Sequence, residues 1–190
     1  LDVRITNGIV EEIGPELAAN GGKISDVRGC LVVPGLLDVH LHLVNGLGPF
    51  GADPDIFGVG SGVTTVVDAG STGHSLFNVF RRYIAEPAKT RVLAYVNLST
   101  LGSVVGPTFS NLADPRFIDE ERIAQVVEAN RQMIVGIKVM ATGTALGTEG
   151  IKPLSRARKL ADSLHQPILV HIGESWGRSA KTPRIGDVLA

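Results

Sequence analysis

Cysteine is nearly absent: Cys30 is the only one in 190 residues. An internal disulfide framework is therefore excluded, and a reducing, cytoplasmic compartment is expected, with Cys30 a small buried apolar residue. Also missing is any apolar run near the roughly 20 residues that span a bilayer, and any basic-then-apolar leader. Charge of one sign is lacking too: 18 basic against 19 acidic side chains give a net charge of -1. Neither nucleic acid nor membrane is an expected partner on electrostatic grounds. Residues 143–150 hold scattered glycines but form neither a Walker A loop nor a dinucleotide fingerprint. Internal repeats and low-complexity stretches are absent.

What remains is 44% hydrophobic, an ordinary globular composition long enough for a sizeable core. The chain opens on Leu1 rather than Met and ends on the apolar Asp187-Val-Leu-Ala190, so a piece of a longer protein is expected.

Residues 1–14 alternate apolar and polar around Asn7-Gly8, the signal of a β-hairpin with a type I′ turn. Residues 23–33 have strand character and end at Pro34-Gly35. Beyond them, short apolar runs at 35–42, 63–69, 91–98, 136–141 and 167–172 suit parallel strands buried on both faces.

Amphipathic segments separate these runs. Residues 75–85 present Leu76, Val79, Phe80, Tyr83 and Ile84 at helical spacing and stop before Pro87. Asp119 can cap a helix over 120–130. Pro153 suits the first turn of a helix carrying Leu154, Ala157, Leu160, Ala161 and Leu164. Arg156, Arg158 and Lys159 on that helix read as a solvated face. Alternating strands and helices imply βα units, arranged either as an open doubly wound sheet or as an unfinished (β/α)₈ barrel. Residues 102–115 read as a loop over one end of the strands.

Four side chains carry candidate chemistry. His40 and His42 stand at the end of the first of these strands, where i and i+2 share a face while Leu41 and Leu43 point away. Imidazole nitrogen is a good zinc ligand, although two histidines at a strand end can equally be ordinary polar residues. Lys138 interrupts an apolar strand, which is costly unless the amine is paired, for example with Asp68 or Glu174, or neutralised. A lysine with a depressed pKa can take up carbon dioxide and become a carboxylate-like carbamate. His171 ends another apolar strand. All of these lie towards strand C-termini, the ligand-binding edge of either architecture. By contrast, His74 reads as a solvated loop histidine, His165 as a structural residue at a helix end, and Asp68 as either a support for the site or a partner of a loop.

With these residues in view, the sequence resembles the amidohydrolase superfamily, in its dihydroorotase-like and deacetylase-like branch. Asp2-Val-Arg-Ile-Thr-Asn-Gly-Ile-Val-Glu-Glu-Ile-Gly14 is similar to the hairpin that opens the family's small β-sandwich. Val33-Pro-Gly-Leu-Leu-Asp-Val-His-Leu-His42 resembles its metal motif. Gly62-Val-Thr-Thr-Val-Val-Asp-Ala-Gly-Ser71, Glu86-Pro-Ala-Lys-Thr-Arg91 and Val135-Gly-Ile-Lys138 resemble later segments. The resemblance implies part of a β-sandwich over 1–33 and about five βα units of a (β/α)₈ TIM barrel over 34–190.

It further implies that His40 and His42 bind one divalent metal and His171 a second, both ions being zinc, with carboxylated Lys138 bridging them. The family's further histidine after a sixth strand, and its proton-shuttling aspartate after an eighth, do not occur in this sequence. The expected activity is hydrolysis of an amide or ester of a small molecule by metal-bound hydroxide, with cyclic amide opening or a non-catalytic homologue as alternatives. This chain alone is expected to be inactive. Its barrel is expected to be completed by further residues, or else by pairing with another copy as a homo-oligomer.

Overall fold

The computed structural model describes residues 1–47, 50–106 and 112–172. The chain divides into two units, Leu1–Pro34 and Gly35–Ala190.

In the first unit, strands β1 (Asp2–Thr6) and β2 (Ile9–Gly14) pair antiparallel. Asn7 and Gly8 both take positive φ, 52° and 77°, as the I′ turn requires. The strand expected over residues 23–33 is not formed. A turn closed by Gly22 N–H to the Ala19 carbonyl precedes it, one closed by Cys30 N–H to the Val27 carbonyl interrupts it, and the segment has no ladder partner among the described residues. Strand character without a neighbouring edge does not make a strand. Cys30 is exposed, against the expectation that it would be buried.

The second unit is built on five parallel strands in the order β3-β4-β5-β6-β7. These are β3 (Leu36–Leu41), β4 (Val63–Gly73), β5 (Arg91–Asn97), β6 (Ile134–Ala141) and β7 (Ile168–Ile172). In a flat sheet the outermost strands would stand four spacings, about 19 Å, apart. The rings of His40 on β3 and His171 on β7 are nevertheless only 6.5 Å apart. The sheet is therefore strongly rolled, as half of a barrel is. Leu36, Leu37 and Val39 on β3 and Ile172 on β7 are exposed, so both outer strands carry uncovered apolar side chains.

The core lies between the middle strands and the helices, where Val66, Val96, Ile137 and Val139 join Ile123, Val127, Leu154 and Ala157 in one buried cluster. A short helix α1 (Pro54–Phe57) is capped by Asp53 and precedes β4. After β4, helix α2 (Phe77–Phe80) passes into a π turn over Arg81–Ala85. The expected helical face is rotated here. Phe77 and Phe80 are fully buried, their rings 5.8 Å apart, while Val79 and Tyr83 are exposed. Two phenyl groups bury more apolar surface than the set with Val79 and Tyr83, and they take the inside.

Helix α3 (Glu120–Ala129) starts at Asp119, whose carboxylate accepts from Arg122 N–H, with Glu120 and Glu121 in the first turn. A short turn of helix, α4 (Gly143–Leu146), follows β6. Helix α5 (Lys152–Leu164) places Pro153 in its first turn and buries Leu154, Ala157, Leu160, Ala161 and Leu164 as the periodicity predicts. It ends at His165, which adopts the left-handed conformation with φ 52°. Arg156 is not purely solvated: it forms a bidentate pair with Glu120 (2.6 and 2.7 Å) and also reaches the Ile118 carbonyl, tying α5 to α3. Among the described residues, no helix is long and apolar enough to cross a membrane.

Candidate metal centre

Strand register sets the site. Asn97, Lys138 and Leu169 stand level on β5, β6 and β7, and Met140 is level with His171. His171 thus shares the Lys138 face, two residues nearer the C-terminal edge. Lys138 lies mid-strand rather than at the strand end. At the far side of the roll, His40 is the fifth residue of β3, and His42 lies just beyond the strand.

The three imidazoles come together. His40 and His42 ring centroids are 5.9 Å apart, and those of His40 and His171 are 6.5 Å apart, both edge-on. Two imidazoles bound to one zinc at ~2.0–2.1 Å would place their centroids about 5 Å apart, so closure needs movements of an ångström or so. As they stand, no three His, Cys, Asp or Glu side chains among the described residues are grouped tightly enough to hold a metal ion.

Lys138 is fully buried, and its Nζ has no hydrogen-bond partner among the described residues. The ion pair with Asp68 does not form, and the alternative partner Glu174 lies outside the described residues, as does the 107–111 part of the 102–115 loop. Burial pushes the amine down from 10.5 to about 8, and the more distant Asp68 carboxylate only partly opposes this. Its charge in turn reaches all three histidines. Burial first and Lys138 second lower the pKa of His40, His42 and His171. Neutral imidazole, the form that ligates metals, is thereby favoured.

Room for the lysine stem comes from Gly70. At φ +80° it passes so close that a Cβ there would lie 2.5 Å from Lys138 Cβ and 2.6 Å from Cγ. The Gly70 carbonyl is fixed by Asn97 Nδ2 at 2.8 Å and by Ser103 Oγ at 3.2 Å.

Asp68 is buried beside β3 rather than used by a remote loop. It accepts from Leu43 N–H at 2.8 Å, from Ser71 N–H at 2.6 Å and from Ser71 Oγ at 2.6 Å. Burial pushes its carboxyl up, and these hydrogen bonds hold it back. Ser71 in turn touches His42 Nδ1 at 2.9 Å. Ser71, Gly70 and Asn97 did not stand out in the sequence. The one available signal was the polar Asp-x-x-Ser ending of an otherwise apolar strand. His74 is half-buried, with Nε2 at 3.1 Å from Thr100 Oγ1, and does not join the cluster. A cavity of about 270 Å³ lined by Asp53, Asp55, Tyr83 and Pro87 contains none of the four candidate residues.

The donor set suits a borderline-soft divalent ion: neutral imidazoles on two converging strands, beside a buried amine that no other described residue satisfies.

No family model matches the sequence. A protein named deacetylase from Brucella anthropi is 38% identical over 169 residues, which is 88% of this chain and 42% of that relative. The deacetylase Atu3266 of Agrobacterium fabrum is similar to the same extent, 38% over 169 residues, again 88% of this chain and 42% of the relative. Among solved structures, a dihydroorotase matches with a TM-score of 0.71 at 38% identity, over 74% of this chain and 37% of that one. The chain thus spans about two fifths of the length of the curated relatives it matches. These likenesses support the amidohydrolase superfamily, and the rolled parallel sheet is half of a (β/α)₈ barrel.

Proposed function

We propose that the complete protein is a metal-dependent hydrolase of deacetylase type, cleaving an amide or ester bond of a small molecule. The observation that carries this is the convergence of three imidazoles on a rolled sheet, beside a buried lysine without a partner among the described residues. The deacetylase names of relatives 38% identical to the chain support the same reading.

When bound, one or two divalent ions such as zinc polarise a carbonyl and lower the pKa of water towards 7. The protein's own residues do the rest. His40 and His42 would hold one ion and His171 a second. Lys138 would supply the bridge: its neutral amine attacks carbon dioxide, an N–C bond forms, and one amine proton leaves to solvent. A carbamate with a single negative charge results. With the amine at about 8, roughly a tenth is neutral at pH 7, enough to feed that addition. The apolar strands around Lys138 would keep water away from such a carbamate. The dihydroorotase likeness favours a second reading within the same chemistry, the opening of a cyclic amide.

The test is hydrolysis of a panel of N-acetylated amines, acetate esters and cyclic amides by the full-length protein, before and after chelation. Activity on one class that disappears on chelation and returns with zinc is expected. A complete protein that neither contains nor takes up a divalent metal would refute the proposal.

A further inference from the structure

Ser71 joins the His42 ring to the buried Asp68 carboxylate, and neither of these contacts is used by the hydrolytic scheme above. Its Oγ lies 2.6 Å from Asp68 Oδ2 and 2.9 Å from His42 Nδ1. A hydroxyl has one proton to donate, so only one of these contacts can receive it. Asp68, 1% exposed, already takes Ser71 N–H on Oδ1 and Leu43 N–H on Oδ2. Backbone N–H groups only donate, so both oxygens sit among donors, the surroundings of a carboxylate. The Ser71 proton therefore goes to Asp68. Its oxygen then offers a lone pair to His42 Nδ1, and that contact is filled only when Nδ1 carries the ring proton. In a neutral imidazole so protonated, the free lone pair is on Nε2.

We propose that Asp68 and Ser71 are positioning residues that fix His42 as its Nδ1–H tautomer and so present Nε2 as the donor atom. The carboxylate acts twice. It holds the ring through Ser71, and it holds the backbone one residue further on through Leu43 N–H. Gly70, at φ +80°, lets the chain turn so that the Ser71 N–H and hydroxyl both reach back to Asp68. A ring flip would surrender the Ser71 contact. Use of Nε2 towards a cation rests on the reading given under Proposed function; the tautomer itself does not.

The experiment uses full-length protein with ¹⁵N-labelled histidine. Two-bond ¹H–¹⁵N correlation of the metal-free ring, assigned by its loss in His42→Gln, reports the tautomer. Chelator competition reports zinc affinity. The wild type is expected to show Nδ1–H. Ser71→Ala should give mixed tautomers and bind zinc about 10- to 100-fold more weakly, the usual effect of losing a ligand's supporting partner. Ser71→Thr, which keeps the hydroxyl, should restore both. An Nε2–H ring in the wild type overturns the proposal. So does Ser71→Ala with an unchanged ring pattern and unchanged zinc affinity. A wild type that binds no zinc removes the metal reading alone, and the ring pattern of the metal-free protein still decides this one.

Discussion

Replacing Lys138 by Met keeps most of the stem and deletes the buried amine. The amine is fully buried, lacks a hydrogen-bond partner among the described residues, and is held down from 10.5 to about 8 by burial. A lowering of that size means that folding disfavours the charged form by roughly 3 kcal/mol. Below pH 8 the lysine is protonated in both folded and unfolded chains, and the whole penalty burdens the metal-free fold. Between pH 8 and 10.5 the folded amine is neutral while the unfolded one still holds its proton. Wild-type stability should therefore rise with pH relative to Lys138→Met, by up to about 1.4 kcal/mol per pH unit. Urea unfolding of chelator-treated full-length protein in buffer free of carbon dioxide, followed by circular dichroism, would measure this. The Met variant should be the more stable by roughly 3 kcal/mol at pH 7, with most of that gap gone by pH 10.5. The same variant should lose the second metal equivalent. A gap that is flat across this range, or a Met variant less stable than wild type at pH 7, would refute the reasoning.

Two further substitutions probe the frame. Gly70→Ala forces a Cβ to 2.5 Å from Lys138 Cβ at a left-handed φ. It should destabilise the protein by about 2–4 kcal/mol in urea unfolding and weaken zinc binding, and a loss below about 1 kcal/mol would contradict the close approach. Arg156→Ala removes the bidentate bond to Glu120 and the contact to the Ile118 carbonyl. Because the pair is partly exposed, about 1 kcal/mol is expected, halved by high salt, with zinc affinity unchanged.

Much of the second unit was legible because burial writes itself into the chain. The apolar run flanking Lys138 is a strand covered on both faces, which needs little else, and the run holding His171 pairs along its edge although its own outer side stays exposed. Asp119 and Pro153 marked helix starts through local chemistry, which acts within a few residues. The failures were of two kinds. Residues 23–33 had propensity but no partner edge, and propensity without pairing leaves no strand. On residues 75–85, Phe77 rather than Val79 took the inside because two phenyl groups bury more apolar surface than the periodic set does. The site divides the same way. Three histidines towards strand ends and a mid-strand lysine stand out as residue types. The Ser71 link to His42 joins positions 29 apart and has no periodic signature. Arg156 likewise found Glu120 across 36 residues, which a helical wheel cannot foresee.

The separation of His40 and His171 along the chain has a consequence for how the fold keeps its shape. They sit on the first and last strands of the rolled sheet, about 130 residues apart, where a shared ligand would act as a clasp across the open mouth. Were one ligand, or two ions joined by a bridge, to grip both rings, occupancy would be tied to how tightly the strands curl, and emptying it would free the two rims before the middle.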